Sequence, residues 1–326
     1  MTQHPPYPTD QRHLTPRQTL SYLKETFATR HLEPKSKLGQ CFLIDLNLMD
    51  LLLRAAELTS SDLAVEVGCG SGSLTLKLAE YAGAVVGMEI DRGFYELADD
   101  LTKAWGNVTL LLGDALKNKN QLAPEFLEAI RQNQKKPGIH HVKLTANLPY
   151  IVATPVITNL LLVEDIPLER IVVMVQWEMA ERLMARPSTK EYNASSIFVQ
   201  SLCDIELIRK IGPRAFFPPP KVDSAIIRIW PRPHKREDVL QTVGSVARLH
   251  RFLHGLYLHR RKNLRGALYP QFREHFDKPG LDALLVKAGF DGASRAESLT
   301  VAQHLQLCSV LPDLTQSAGV AKAFDK

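Results

Sequence analysis

The feature that most constrains the fold is the glycine-rich segment from Gly68 to Gly72, which directly follows a short apolar run. The run Leu63 to Val67 predicts a buried strand, and the pattern from Leu74 to Ala79 predicts a helix. A tight strand-to-helix turn needs glycine for two reasons. Its backbone angles are unfavourable for residues with a side chain, and a side chain would keep a ligand away from the backbone. Backbone N–H groups at the helix N-terminus can then bind that ligand.

Acidic residues follow the next two predicted strands. Glu89 ends the strand that starts at Ala84 and lies about 20 positions after the turn, where a carboxylate can hold the hydroxyls of a nucleotide ribose. Asp114 follows the strand Val108 to Leu112, and its carboxylate can either accept from an exocyclic amine or cap a helix. This alternation of strands and helices predicts an open parallel sheet. A dinucleotide and S-adenosylmethionine both fit this part of the pattern.

Composition places the chain among ordinary globular proteins, with 326 residues, 45% hydrophobic and 23% charged. The formal net charge of +5 permits a polyanionic partner without requiring one. The scattered cysteines favour reduced thiols over disulfides or a zinc site: they are Cys41, Cys69, Cys203 and Cys308. This cysteine spacing also predicts that the protein holds no metal. Because no apolar run is long enough to span a bilayer and the thiols are expected to be reduced, we expect a cytoplasmic protein with no membrane contact. No pattern indicates an obligate dimer, so we expect a monomer.

Changes in pattern along the chain predict its organisation. Residues 1–14 are polar and Pro-rich and predict a disordered tail, and residues 15–232 predict the α/β domain with an N-terminal helical extension. Late in that domain we expect two strands, Ile197 to Leu207 and Ser224 to Trp230. The loop Trp230 to Glu237, rich in Pro and charge, is the best boundary. Residues 233–326 then predict a small all-α domain.

The segment Asn147-Leu148-Pro149-Tyr150, placed directly after the fourth predicted strand, indicates chemistry on an adenine amine. The Asn147 side-chain oxygen and the Leu148 carbonyl can accept both N–H hydrogens of that amine, and Pro149 fixes the backbone direction. Tyr150 can stack on the flipped base. A simple β-turn that closes the strand is the alternative. A hydride-transferring enzyme gives no reason for this segment, so the combination favours methyl transfer from S-adenosylmethionine.

Taken together, these segments resemble the ribosomal RNA adenine N6,N6-dimethyltransferase family, and within it the enzymes that act on the small subunit. The resemblance extends from about residue 15 to residue 311. It rests on nine short motifs: residues 38–45, 66–70, 89–91, 113–114, 147–150, 188–192, 216–224, 259–262 and 295–299.

The resemblance implies a Rossmann-like methyltransferase sheet, mostly parallel with one antiparallel edge strand, and a small all-α C-terminal domain. It implies S-adenosylmethionine as the cofactor, bound by a set of residues at the strand ends: Cys41, Leu43, Gly68, Gly70, Glu89, Asp114 and Asn147. It also implies that Phe216 forms the second face of a clamp on the target adenine, opposite Tyr150. The reaction implied is dimethylation of two adjacent adenines near the 3′ end of the small-subunit RNA, during ribosome biogenesis.

Four positions depart from the family's usual pattern. Cys41 stands where Asn or His is usual, so only a backbone contact to the cofactor is expected there. Cys69 replaces a common Pro, which matters little to a turn defined by glycines. Trp177 and Asn193 replace a usual Lys and Gly and put some RNA contacts in doubt. Since none of these is a catalytic position, we expect an active enzyme.

A basic cluster in the predicted helical domain indicates a contact with RNA phosphates. Its members, together with one cation of the α/β domain, are the expected RNA-binding residues: Arg260, Arg261, Lys262, Arg265 and Lys221. A solvated helix face is the alternative reading of this cluster. Because side chains cannot read the major groove of A-form RNA, we expect the domain to recognise the shape of the folded RNA of an immature small subunit.

Three other functions share part of this pattern. A large-subunit adenine methyltransferase that confers antibiotic resistance would have every catalytic motif, but the long C-terminal region and the Arg260-Arg261-Lys262 segment favour the small-subunit enzyme. A nucleic-acid-binding factor that has lost catalysis would have a damaged glycine turn or a damaged 147–150 segment, and both are intact. A dinucleotide oxidoreductase is the remaining enzyme alternative.

Overall fold

The computed structural model describes residues 18–313, so the predicted tail at 1–14 lies outside the described residues. The chain forms two compact units. The first contains residues 18–180 and Ile205–Pro231, and the second contains Glu181–Asp204 and 232–313. The chain passes between the two units after residues 180, 204 and 231. In addition, the segment Glu181–Asp204 belongs to the second unit.

A seven-stranded sheet with the order β4-β3-β2-β7-β8-β11-β9 forms the centre of the first unit. The pairs β4–β3, β3–β2, β2–β7 and β7–β8 are parallel, and β11 is antiparallel to β8. This mostly parallel sheet confirms the predicted fold class, with the antiparallel β11 one place in from the edge strand β9. The bounds are β2 Asp62–Val67, β3 Ala84–Glu89, β4 Val108–Leu112, β7 His141–Asn147, β8 Leu168–Gln176, β9 Cys203–Ile211 and β11 Ser224–Pro231.

Two short strand pairs lie outside this sheet. Strand β1 (Phe42–Leu43) pairs with β10 (Phe216–Phe217), and β5 (Leu116–Asn118) pairs with β6 (Gln121–Leu122), both antiparallel. The helices of this unit are α1 Leu20–Thr29, α2 Leu46–Ala56, α3 Ser73–Tyr81, α4 Arg92–Thr102, α5 Pro124–Gln134, α6 Ala153–Leu162 and the first half of α7 Trp177–Met184. The predicted N-terminal helix is thus present as α1.

A buried ion pair joins the neighbouring strands β2 and β7. Lys143 Nζ lies 2.9 Å from Asp62 Oδ2, and both side chains are buried. Lys143 also donates to the Glu57 carbonyl, and Asp62 accepts from the Thr59 backbone N–H. Because both charges are paired and hydrogen-bonded, they can be tolerated inside the protein.

The second unit is helical. Its helices after residue 232 are α9 Pro233–Val243, α10 Val246–Tyr257, α11 Leu264–Phe272, α12 Lys278–Lys287 and α13 Val301–Val310. Helix α10 packs against α9, α11 and α13, with Leu249, Leu253 and Leu256 on its buried face. Leu and Ala periodicity therefore predicted this helical unit correctly. No helix between residues 18 and 313 is long and apolar enough to cross a bilayer.

The predicted strand Ile197 to Leu207 is wrong in its first half, which is helix α8, Ala194–Leu202. The run Ile197-Phe198-Val199 has high strand propensity. A capping box overrides that propensity: Asn193 Oδ1 accepts from the Ser196 N–H, and Ser196 Oγ accepts from the Asn193 N–H. The apolar run is buried in the second unit, where α8 packs against α9 and α10.

Candidate active site

The parallel register brings four of the predicted site segments to one edge of the sheet. Strands β4, β3, β2 and β7 are consecutive neighbours and parallel, so their carboxyl ends lie side by side. A cavity opens at this edge. Every predicted cofactor residue and the whole 147–150 segment line it: Cys41, Leu43, Gly68, Gly70, Glu89, Asp114, Asn147, Leu148, Pro149 and Tyr150.

The glycine turn lies against the other site segments so closely that no side chain fits. Gly68 has φ of 80°, and a Cβ there would come within 2.9 Å of the Pro149 ring. Gly70 has φ of 54°, and its Cβ would meet the ring of Phe42 at 2.9 Å. Both the backbone angles and the space therefore require glycine at these two positions.

Glu89 is held in place by two backbone donors. Its Oε2 accepts from the Gly70 N–H at 2.8 Å, and its Oε1 accepts from the Asp91 N–H at 2.9 Å. Burial is the main cause that raises the pKa of this carboxyl, whereas the two N–H bonds oppose the rise. Each carboxylate oxygen keeps a second lone pair, so Glu89 can still accept from a ligand's hydroxyls.

Asn147 is oriented by the backbone of residue 41. Its Nδ2 donates to the Cys41 carbonyl at 2.8 Å, which leaves Oδ1 as an acceptor at the cavity. The Leu148 N–H donates to the Met174 carbonyl at 3.1 Å and anchors the chain just before Pro149. Since the contact at residue 41 comes from its carbonyl, the Cys41 side chain is not needed for it.

Tyr150 and Asp114 each make one further bond within the protein. Tyr150 Oη and Ser224 Oγ share a hydrogen bond of 2.7 Å, and burial is the main cause that raises the pKa of the phenol. Asp114 is exposed and its Oδ1 accepts from the Leu116 N–H at 2.9 Å. It caps the start of strand β5 instead of a helix, and its other oxygen is left for a ligand.

Phe216 does not join the other predicted catalytic residues. It is 3% exposed and lies in the hydrophobic core with Leu43, Met49 and Leu52, behind the cavity wall that these three residues form. The pairing of β1 with β10 sets this position, because Phe216 is the register partner of Leu43. In this structure Phe216 therefore does not face the cavity opposite Tyr150. Its role as a second clamp face stays a prediction that requires the ring to leave the core.

Comparison with known proteins decides between the families that share this sheet edge. The family model for ribosomal RNA adenine dimethylase matches residues 32–311. The chain belongs to the ribosomal RNA adenine dimethylase family. Two relatives named ribosomal RNA small subunit methyltransferase A agree: the protein of Pelotomaculum thermopropionicum is 36% identical over 89% of this chain and 96% of its own length. That of Leuconostoc mesenteroides is 37% identical over 87% and 93%.

A solved structure supports the fold of this adenine dimethylase. A dimethyladenosine transferase from Plasmodium falciparum matches with a TM-score of 0.63 at 22% identity, over 84% of this chain and 98% of that one.

Among residues 18–313, no group of three or more His, Cys, Asp or Glu side chains could hold a metal ion.

The predicted RNA-binding cations of the dimethylase fall into two groups. Arg260 pairs with Glu297 at 2.9 Å and also donates to the Lys190 carbonyl, and Arg265 pairs with Asp282 at 2.5 Å. The other three cations are exposed and form no ion pair within the described part of the chain: they are Arg261, Lys262 and Lys221.

Glu66 also lines the cavity, although the sequence pattern alone did not single it out as a site residue. It is 1% exposed, and the Thr75 hydroxyl donates to its Oε2 at 2.6 Å. Burial raises the pKa of Glu66 to about 8. The signal that could have found it is an acidic residue between two valines of a fully buried strand.

Replacing Glu66 with Gln should remove part of the pH dependence of stability. The folded chain keeps this proton up to about pH 8, whereas the unfolded chain loses it near the ordinary pKa of 4.5. Between these values the unfolded state binds fewer protons, so the wild-type free energy of unfolding falls as the pH rises. Urea titrations should measure the free energy of unfolding of both proteins at pH 5 and pH 8. From pH 5 to pH 8, this free energy should fall in the wild type by over about 1 kcal/mol more than it does in Glu66→Gln.

The matched control is Glu96→Gln, which alters an exposed glutamate on α4. Its stability should follow that of the wild type at both pH values. Parallel curves for Glu66→Gln and the wild type would show that Glu66 is ionised in the folded protein.

Proposed function

We propose that this chain transfers methyl groups from S-adenosylmethionine to the N6 amines of two adjacent adenines near the 3′ end of small-subunit ribosomal RNA. The observation that carries the proposal is the position of Asn147-Leu148-Pro149-Tyr150 at the same cavity as Glu89 and the glycine turn. One group of residues suits a nucleoside cofactor and the other suits an adenine amine. A cavity that holds both can bring donor and acceptor together.

The residues at the strand ends fit S-adenosylmethionine. Glu89, with its orientation set by two backbone N–H groups, can accept from the ribose hydroxyls, and Asp114 can accept from the exocyclic amine of the cofactor's adenine. Glycine at positions 68 and 70 lets the turn pack against Pro149 and Phe42, and the backbone of the turn lines the cavity where the cofactor would bind. At position 41 the backbone carbonyl holds Asn147, which explains how the family's usual side chain can be replaced by Cys41.

The 147–150 segment fits the target amine. Asn147 Oδ1 and the Leu148 carbonyl accept the two N6 hydrogens and favour a tetrahedral nitrogen, and the Tyr150 ring stacks on the flipped base. S-adenosylmethionine, when bound, would supply an electrophilic methyl group on its sulfonium sulfur. Asn147, Leu148 and Tyr150 would hold the N6 amine that accepts it, and the amine's proton would pass to water. The role of the protein is therefore positioning.

The exposed cations support docking on ribosomal RNA. Arg261 and Lys262 in the helical unit and Lys221 in the first unit are exposed and can neutralise phosphates. The curated relatives are named as small-subunit enzymes, which favours the small subunit over the large one. We place the reaction in ribosome biogenesis in the cytoplasm, on an immature subunit whose 3′ region is still accessible.

The Tyr150→Ala variant tests the proposal directly. Loss of the stacked ring should lower methyl transfer to unmodified small subunits by about 5-fold to 150-fold, because stacking contributes on the order of 1 to 3 kcal/mol per base. The affinity for S-adenosylmethionine, measured by calorimetry, should change less than about twofold, since the ring contacts the base and not the cofactor.

The control for this variant is Tyr95→Ala, which removes a tyrosine of α4 that does not line the cavity. It should keep wild-type transfer. A large loss of cofactor affinity in Tyr150→Ala would assign the ring to the cofactor and overturn its proposed role on the target base.

The Arg261→Ala variant tests the docking residues. Removal of one exposed phosphate contact should weaken binding to small subunits about threefold to tenfold and lower the slope of log affinity against log salt by roughly 1. Arg265→Ala is the matched comparison, because that guanidinium is already paired with Asp282. A larger change in salt slope for Arg265→Ala than for Arg261→Ala would contradict this assignment.

A further inference from the structure

Ser224 is a fully buried side chain that contacts the site from outside the cavity. It is the first residue of β11, is 0% exposed, and shares a hydrogen bond of 2.7 Å with the Tyr150 hydroxyl. It is not among the residues that line the cavity. Ser224 therefore acts on any bound base only through Tyr150.

The two ends of the Tyr150 side chain are fixed by different parts of the protein. At the backbone end, Tyr150 directly follows Pro149, whose ring fixes its own φ and lies closely against Gly68. At the hydroxyl end, the hydrogen bond to Ser224 Oγ fixes the position of Oη, and because conjugation keeps the phenol O–H in the plane of the ring, the direction of this bond also favours one ring plane. A tyrosine ring rotates about two side-chain bonds, so a constraint at both ends is needed to define its plane. The ring plane in turn sets the plane of a stacked base.

The start of β11 is anchored firmly enough to serve as that constraint. Ser224 is the register partner of Gln176 on β8, and the Trp177 N–H donates to the Asp223 carbonyl at 2.9 Å. The Asp223 carboxylate pairs with Lys210 at 3.1 Å, and the Lys210 ammonium lies 4.4 Å from the centre of the Trp177 ring. Trp177, an unusual residue for this family, thus helps to hold the residue next to Ser224.

We propose that Ser224 is a positioning residue for methyl transfer, because it fixes the plane of the Tyr150 ring and thereby the direction of the N6 amine. The proposal rests on the proposed function. The effect of Ser224 is greater on the transfer of the second methyl group than on the transfer of the first. Adenine offers two N6 hydrogens to Asn147 and Leu148, whereas N6-methyladenine offers one, so stacking must supply more of the alignment in the second step.

The test compares Ser224→Ala, Tyr150→Phe and the double variant on unmodified small subunits. The readouts are kcat, the Kd for S-adenosylmethionine, and the ratio of N6-methyladenosine to N6,N6-dimethyladenosine at equal methyl incorporation. Each single variant should lower kcat about tenfold, the scale of one lost hydrogen bond, and raise the monomethyl fraction severalfold. The double variant should be no slower than either single one, since all three lack the same bond.

Two further variants separate positioning from a merely structural role. Ser224→Thr keeps the hydroxyl and should restore the wild-type product ratio. Ser201→Ala removes another buried hydroxyl, one that donates to the Phe198 carbonyl at 2.7 Å, and should leave both kcat and the product ratio unchanged. Tyr150→Phe removes the same Tyr150–Ser224 hydrogen bond by changing the residue that is only partly buried. The test therefore holds even if Ser224→Ala does not fold.

Wild-type kcat and product ratio in Tyr150→Phe and Ser224→Ala would overturn the positioning role while the proposed function stands. Losses that multiply in the double variant would also overturn it, because they would show two independent effects. Failure of the wild-type protein to methylate small subunits at all would instead overturn the proposed function and, with it, the role of Ser224.

Discussion

Parallel pairing of β4, β3, β2 and β7 is the constraint on which the site depends. These strands are neighbours in the sheet, so Asp114, Glu89, the glycine turn and Asn147 meet at one edge although they are separated along the chain. A shift of one residue in any pair would send every side chain of that strand to the opposite face. The buried Asp62–Lys143 pair adds a charged contact between β2 and β7 within this register.

At this edge, polar side chains that line the cavity are held by hydrogen bonds to the rest of the protein. Glu89 accepts from two backbone N–H groups, Asn147 donates to the Cys41 carbonyl, and Tyr150 bonds to Ser224. Each bond fixes the side chain while an acceptor or a ring face remains for the ligand. Preorganisation of this kind lowers the entropy that must be lost when substrates bind.

Sequence alone predicted most of the fold and most of the residues that line the cavity, because glycines, strand ends and the 147–150 segment have local physical signatures. It placed Asn147 and Glu89 at one cavity, but it could not show that the Cys41 carbonyl orients Asn147 or that Ser224 holds Tyr150, since both contacts join distant residues. Phe216 was expected to face the target base, and the β1–β10 pairing instead places it in the core. The strand predicted over residues 197–202 is wrong, because the capping box at Asn193 starts a helix there.

The central claim is that this adenine dimethylase modifies small-subunit RNA. The most direct measurement is incorporation of labelled methyl groups from S-adenosylmethionine into unmodified small and large ribosomal subunits, followed by nucleoside analysis. The account predicts N6,N6-dimethyladenosine in the small subunit alone. Methylation of the large subunit, or no methylation of either subunit by a chain that still binds cofactor and RNA, would contradict it.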